Sequence, residues 1–148
     1  MISFNTTHNN ALPPLMLATA ACGFPSPAEH YIDSALDLNE LLVQKPAATY
    51  FVRAAGDSMI NAGIAPGDIL IVDRSQEPFD GCIVIAAVDN EFTVKYFRKN
   101  HSEVYLEPAN ERYSNIYFSE GMTLQIFGVV TSCIRRFSLS GKKNDRSG

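Results

Sequence analysis

Six segments between Thr49 and Phe137 share one character. "TYFVRAA", "DILIVDR", "CIVIAAVD", "EFTVKYFRK", "EVYLEPA" and "LQIFGVVTSCIRRF" are short and rich in Val, Ile, Phe and Tyr. β-Branched and aromatic side chains suit a pleated, half-buried backbone, so each segment predicts a strand. Pro66-Gly67, Asp80-Gly81 and Asp89-Asn90 supply turn chemistry between them. Only "DLNELLV", Asp37 to Val43, has the pattern of a helix start, with Asp37 as cap and Glu40 three residues on, and Pro46 closes it. The expected fold is mainly β: a compact twisted sheet with one or two short helices and an extended N-terminal arm.

The arm differs from the rest in charge. Residues 1–22 contain no Asp, Glu, Lys or Arg, and residues 1–30 read as a flexible, Pro- and Ala-rich segment. The last 14 residues carry five basic side chains (Arg135, Arg136, Lys142, Lys143, Arg146) against Asp145, which predicts a basic flexible tail over 138–148. Everything before Arg135 has seven basic and 15 acidic residues, a net charge of −8. Such a balance is poorly suited to neutralising phosphates, so little direct nucleic-acid binding is expected. At 148 residues the chain suits one domain with appendages.

Cys22, Cys82 and Cys133 are odd in number and lie far apart, and His8, His30 and His101 are scattered. The expectation is a reduced, cytoplasmic protein with no metal site and no cofactor. No run reaches the roughly 18 apolar residues of a membrane span.

"TAACGFPSP", Thr19 to Pro27, crowds small residues around a Cys-Gly pair. It fits a secretory cut site, a lipid-modified cysteine, a linker, or a bond the protein itself breaks. Against the first two, no Lys or Arg precedes it and Pro13-Pro14 interrupts the apolar stretch.

Two further segments could carry chemistry. In "AAGDSMINAG" a strand runs into Gly56-Asp57-Ser58-Met59 and then a possible helical turn. Ser58 is either a capping residue or a nucleophile, with neighbouring unpaired amides able to hold an oxyanion. In "EFTVKYF" alternation places Thr93, Lys95 and Phe97 on one face. Lys95 either reaches out to solvent or is desolvated, and desolvation lowers a lysine pKa and makes the amine a base. Together the segments suggest a serine activated by a neutral lysine, with Thr93 steadying the amine.

"ACGFPSPA", "ATYFVRAAGDSMINAGIAPGDILIVD", "CIVIAAVDNEFTVK" and "FGVV" occur in the order and at spacings similar to those of a known family. On these segments, over roughly residues 20–131, the chain resembles the UmuD/MucA-like branch of the LexA-type self-cleaving serine-lysine peptidases. The resemblance implies Ser58 as nucleophile, Lys95 as general base and Cys22-Gly23 as the bond cut. It also implies Thr93 as support for the lysine, with the amides around Ser58 and Met59, and the turn at Gly56, as the oxyanion site. Residues 31–137 would then be the peptidase domain. The implied partners are a second copy in a homodimer, a RecA filament on single-stranded DNA as co-protease, and a UmuC-like Y-family polymerase subunit. The implied setting is the SOS response to DNA damage and error-prone translesion synthesis. About 22 residues before the cut are too few for a helix-turn-helix domain, so a repressor is not expected. The competing expectation is a polymerase-binding accessory module of the same fold whose arm is never cut.

Overall fold

The computed structural model describes residues 12–16 and 32–139. Two compact units are present, the first ending at Gln44 and the second beginning at Lys45. In the first, strand β1 (Pro14–Met16) pairs antiparallel with β2 (Ile32–Ala35). Helix α1 (Leu38–Leu42) follows, and the Asp37 carboxylate caps it by accepting from the Asn39 and Glu40 amides. The helix stops at Leu42, short of Pro46, which instead opens a single 3-10 turn over Pro46–Ala48. Proline suits that first position because its missing N–H would have no partner there.

The second unit is an antiparallel seven-stranded sheet. Its strands are β3 (Thr49–Arg53), β4 (Ile69–Asp73), β5 (Ile83–Val88), β6 (Glu91–Lys99), β7 (Val104–Glu107), β8 (Ile116–Tyr117) and β9 (Leu124–Ile134). The order across the sheet is β3-β4-β9-β5-β6-β7-β8. The mainly β expectation therefore holds, and the last long strand lies between β4 and β5. β8 was not foreseen, because two residues give no alternation to read.

Asp89 and Asn90 both take positive φ, 48° and 69°, as a two-residue hairpin turn of the primed type requires. That turn pairs Val88 with Glu91 and sets Lys95 opposite Val84. Along β5, alternate residues enter two hydrophobic clusters. Ile85 joins Ala54, Met59, Ile64, Leu70, Val72 and Ala109, while Val84 and Ala86 join Cys82, Phe97, Leu106 and Val129. Tyr96 packs against the first cluster and Phe97 lies within the second, so both aromatics after Lys95 serve the core.

Arg135, grouped by charge with the tail, belongs to the fold instead. Its guanidinium grips the buried Asp68 through two bonds of 2.7 Å and also donates to the Gly63 carbonyl. The Asp68 carboxyl is held below its ordinary range by that pairing. Beyond β9, Phe137 and Leu139 are exposed. No described helix is long and apolar enough to cross a membrane.

Candidate active site

β3 ends at Arg53, and the chain enters the turn Gly56-Asp57-Ser58-Met59 before a 3-10 turn over Ile60–Ala62. Gly56 has φ 75°, a region that costs a residue with a Cβ but not glycine. Met59, the next residue but two, is 3% exposed and anchors the turn in the first core cluster. Ser58 is thereby held at the wall of a cavity of 990 Å³.

β6 brings the second partner. Lys95 is 8% exposed, and its Nζ lies 3.0 Å from Ser58 Oγ, 2.5 Å from Thr93 Oγ1 and 3.1 Å from the Val94 carbonyl oxygen. Burial pulls its amine below the ordinary lysine range. Among the described residues no carboxylate pairs with it. A neutral amine fits these three partners fully. In that state it would donate one N–H to Val94 and one to Thr93, and its lone pair would accept the Ser58 hydroxyl proton. Such a contact can raise the nucleophilicity of a serine.

The structure thus gathers Ser58, Lys95 and Thr93, with Gly56 and Met59 shaping the turn. Cys22 and Gly23 lie outside the described residues, as do His8 and His30. His101 is exposed in the β6–β7 loop. The amides of Ser58 and Met59 donate to no acceptor among the described residues.

The cavity walls were not visible as a set in the sequence. Tyr50, Val52, Ile64, Ile85, Phe92 and Phe127 form its apolar lining, contributed by separate elements. Phe92 meets Phe127 with ring centroids 5.1 Å apart, and the Tyr50 hydroxyl donates to the Phe127 carbonyl. The loop after β7 was also missed. Its Tyr113 hydroxyl donates to the Asp57 carboxylate at 2.5 Å, and its Asn110 amide donates to the Asp57 carbonyl at 2.9 Å. "EVYLEPA" reads as a strand through Ala109, and nothing in it announces a distant partner.

Comparison with known proteins gives the family. The family model described as Peptidase S24-like matches residues 14–131. Protein SamA of Salmonella typhimurium is 46% identical over 123 residues, covering 83% of this chain and 85% of that protein. Protein MucA of Escherichia coli is 41% identical over 129 residues, covering 80% and 81%. The LexA repressor of Shewanella baltica is 36% identical over 121 residues, covering 81% of this chain but 58% of the repressor. With most of its length matched, this chain belongs to the Peptidase S24-like family, as a UmuD/MucA-like member of the LexA type.

Proposed function

We propose that the chain is a serine-lysine peptidase that cuts its own Cys22-Gly23 bond. The observation that supports this most directly is the 3.0 Å contact between a buried lysine amine and the Ser58 hydroxyl. In the reaction, neutral Lys95 takes the Ser58 proton as Oγ attacks the Cys22 carbonyl carbon. The carbonyl oxygen becomes an oxyanion and meets the free Ser58 and Met59 amides. The tetrahedral intermediate collapses, the C–N bond breaks, and Lys95 returns the proton to the Gly23 nitrogen. Residues 1–22 are then an acyl ester on Ser58. Water, deprotonated by Lys95, attacks that ester. The bond from the Cys22 carbonyl carbon to Oγ breaks, Lys95 returns the proton to Ser58 Oγ, and the Cys22 carboxyl is released and ionises in water. Gly23 offers no side chain to obstruct the approach of Oγ.

The biological setting rests on the family resemblance. In it, cleavage belongs to the SOS response and a RecA filament on single-stranded DNA is the co-protease. The filament favours the arm conformation that reaches the cleft and supplies no catalytic group. The trimmed homodimer then serves as accessory subunit of a UmuC-like, error-prone polymerase.

Incubation of the purified chain with activated RecA filament, followed by intact-mass measurement, tests the reading. The expected product begins at Gly23 in the wild type. It is reduced on the order of 10⁴-fold or more in Ser58→Ala and Lys95→Ala. Cutting at this bond by either variant at the wild-type rate rejects the dyad. An unchanged wild-type mass would favour the accessory module that is never cut.

A further inference from the structure

The loop from Pro108 to Tyr113 grips the Ser58 turn at two consecutive peptide groups. Asn110 Nδ2 donates to the Asp57 carbonyl at 2.9 Å, and the Ala109 amide donates to the Ser58 carbonyl at 2.8 Å. Asn61, one residue into the 3-10 turn, returns its amide to the Ala109 carbonyl at 2.8 Å, so the two segments are tied in both directions. The loop holds its own shape: Asn110 Oδ1 accepts from the Arg112 amide at 2.9 Å, and the Asn110 carbonyl accepts from Tyr113.

A trans peptide group is planar, and its C=O and N–H point in opposite directions. The plane that ends in the Asp57 carbonyl carries the Ser58 N–H at its other end. The plane that ends in the Ser58 carbonyl carries the Met59 N–H. Fixing the two carbonyls therefore fixes the direction of the two amides. Neither amide donates to an acceptor among the described residues. We infer that Asn110 is a positioning residue: through its bond to the Asp57 carbonyl it aims the Ser58 amide at the developing oxyanion, with Ala109 doing the same for Met59.

The inference rests on the self-cleavage reading and extends it to a residue that touches neither substrate nor lysine. A preorganised donor lowers the barrier because it need not turn at the moment of reaction. A donor free to swing loses part of that gain while the Ser58–Lys95 pair stays intact. The loss should thus appear in the limiting rate and not in the pH at which the rate levels.

Self-cleavage of the full chain is followed by mass against pH for wild type, Asn110→Leu and Asn110→Asp, with folding checked by circular dichroism. Asn110→Asp keeps the acceptor for the Arg112 amide and replaces the donor to Asp57 with a charged acceptor. Asn110→Leu loses both without adding charge. The expected result is a plateau rate lower by about 10-fold or more in both variants, with the pH midpoint of Asn110→Leu unchanged. A plateau within twofold of wild type in either variant overturns the inference. So does a shifted midpoint in Asn110→Leu, which would place the effect on Lys95, or loss of folding, which would make Asn110 structural. Ser58→Ala run alongside separates the two levels: if it still cuts, the self-cleavage reading fails, whatever Asn110 does.

Discussion

Lys95 shows how one buried amine couples stability to activity. Its pKa is lowered by desolvation, so the folded chain binds fewer protons than the unfolded chain between that lowered value and about 10.4. Stability therefore rises with pH across this window, and the gain is lost as pH falls through the folded-state pKa. Lys95→Met removes the effect. It should be more stable than wild type at neutral pH, by a margin that shrinks toward pH 10, as paired urea titrations would show. The same protonation governs the proposed reaction. Below the folded-state pKa the cleavage rate should climb close to tenfold per pH unit, then level before the ordinary lysine range. A rate flat across the whole pH range in which the chain stays folded would rule out a lysine base. Thr93 enters through one hydrogen bond to Nζ, worth about 0.5–1.5 kcal/mol. Thr93→Val should thus slow cleavage by about 2- to 10-fold while leaving the Ser58–Lys95 contact in place.

At the scale of elements, β9 is the strand on which the sheet turns. It pairs β4 through Val129–Ile134 and β5 through Leu124–Val130, with an irregular register on both sides. Gly128 permits the close approach. A Cβ there would lie 2.5 Å from Val72 Cγ1 and 3.1 Å from the Asp73 carbonyl oxygen. Gly128→Ala should lower stability by about 1–3 kcal/mol, read as a lower urea midpoint at unchanged slope. The six long β-type segments were legible because Val, Ile and aromatic residues declare a pleated strand wherever it pairs. Which strands become neighbours was not legible, since pairing β9 between β4 and β5 is settled by packing over long separations. The candidate site divides in the same way. Gly56, Ser58 and Lys95 stand in local patterns that suggested a serine paired with a neutral lysine, but with 37 positions between the two it was the family resemblance that assigned their roles. Asn110 was not singled out and Arg135 was counted only among the terminal basic residues, because each acts on a partner more than 50 positions away.

For the whole molecule, the decisive relation is between the β1–β2 ribbon and the bond proposed to break. Met16 pairs with Ile32, so residues 17–31 connect the two strands and contain Cys22-Gly23. Cutting there turns one chain's ribbon into a pairing between two chains. While the connection is whole, it keeps β1 near β2 at a high effective concentration, and cleavage removes that advantage. What remains is the pairing of Pro14, Leu15 and Met16 with Ala35, Ser34 and Ile32, plus the Leu36 amide on the Pro13 carbonyl. A two-stranded ribbon is marginal in water even when its strands are joined. The fragment ending at Cys22 should therefore leave the trimmed chain at micromolar concentration and elute separately on size exclusion without denaturant. Amide exchange at Ile32–Ala35 should speed up in step with its loss. Co-elution of the fragment with the trimmed chain would show that more than these strand bonds holds it.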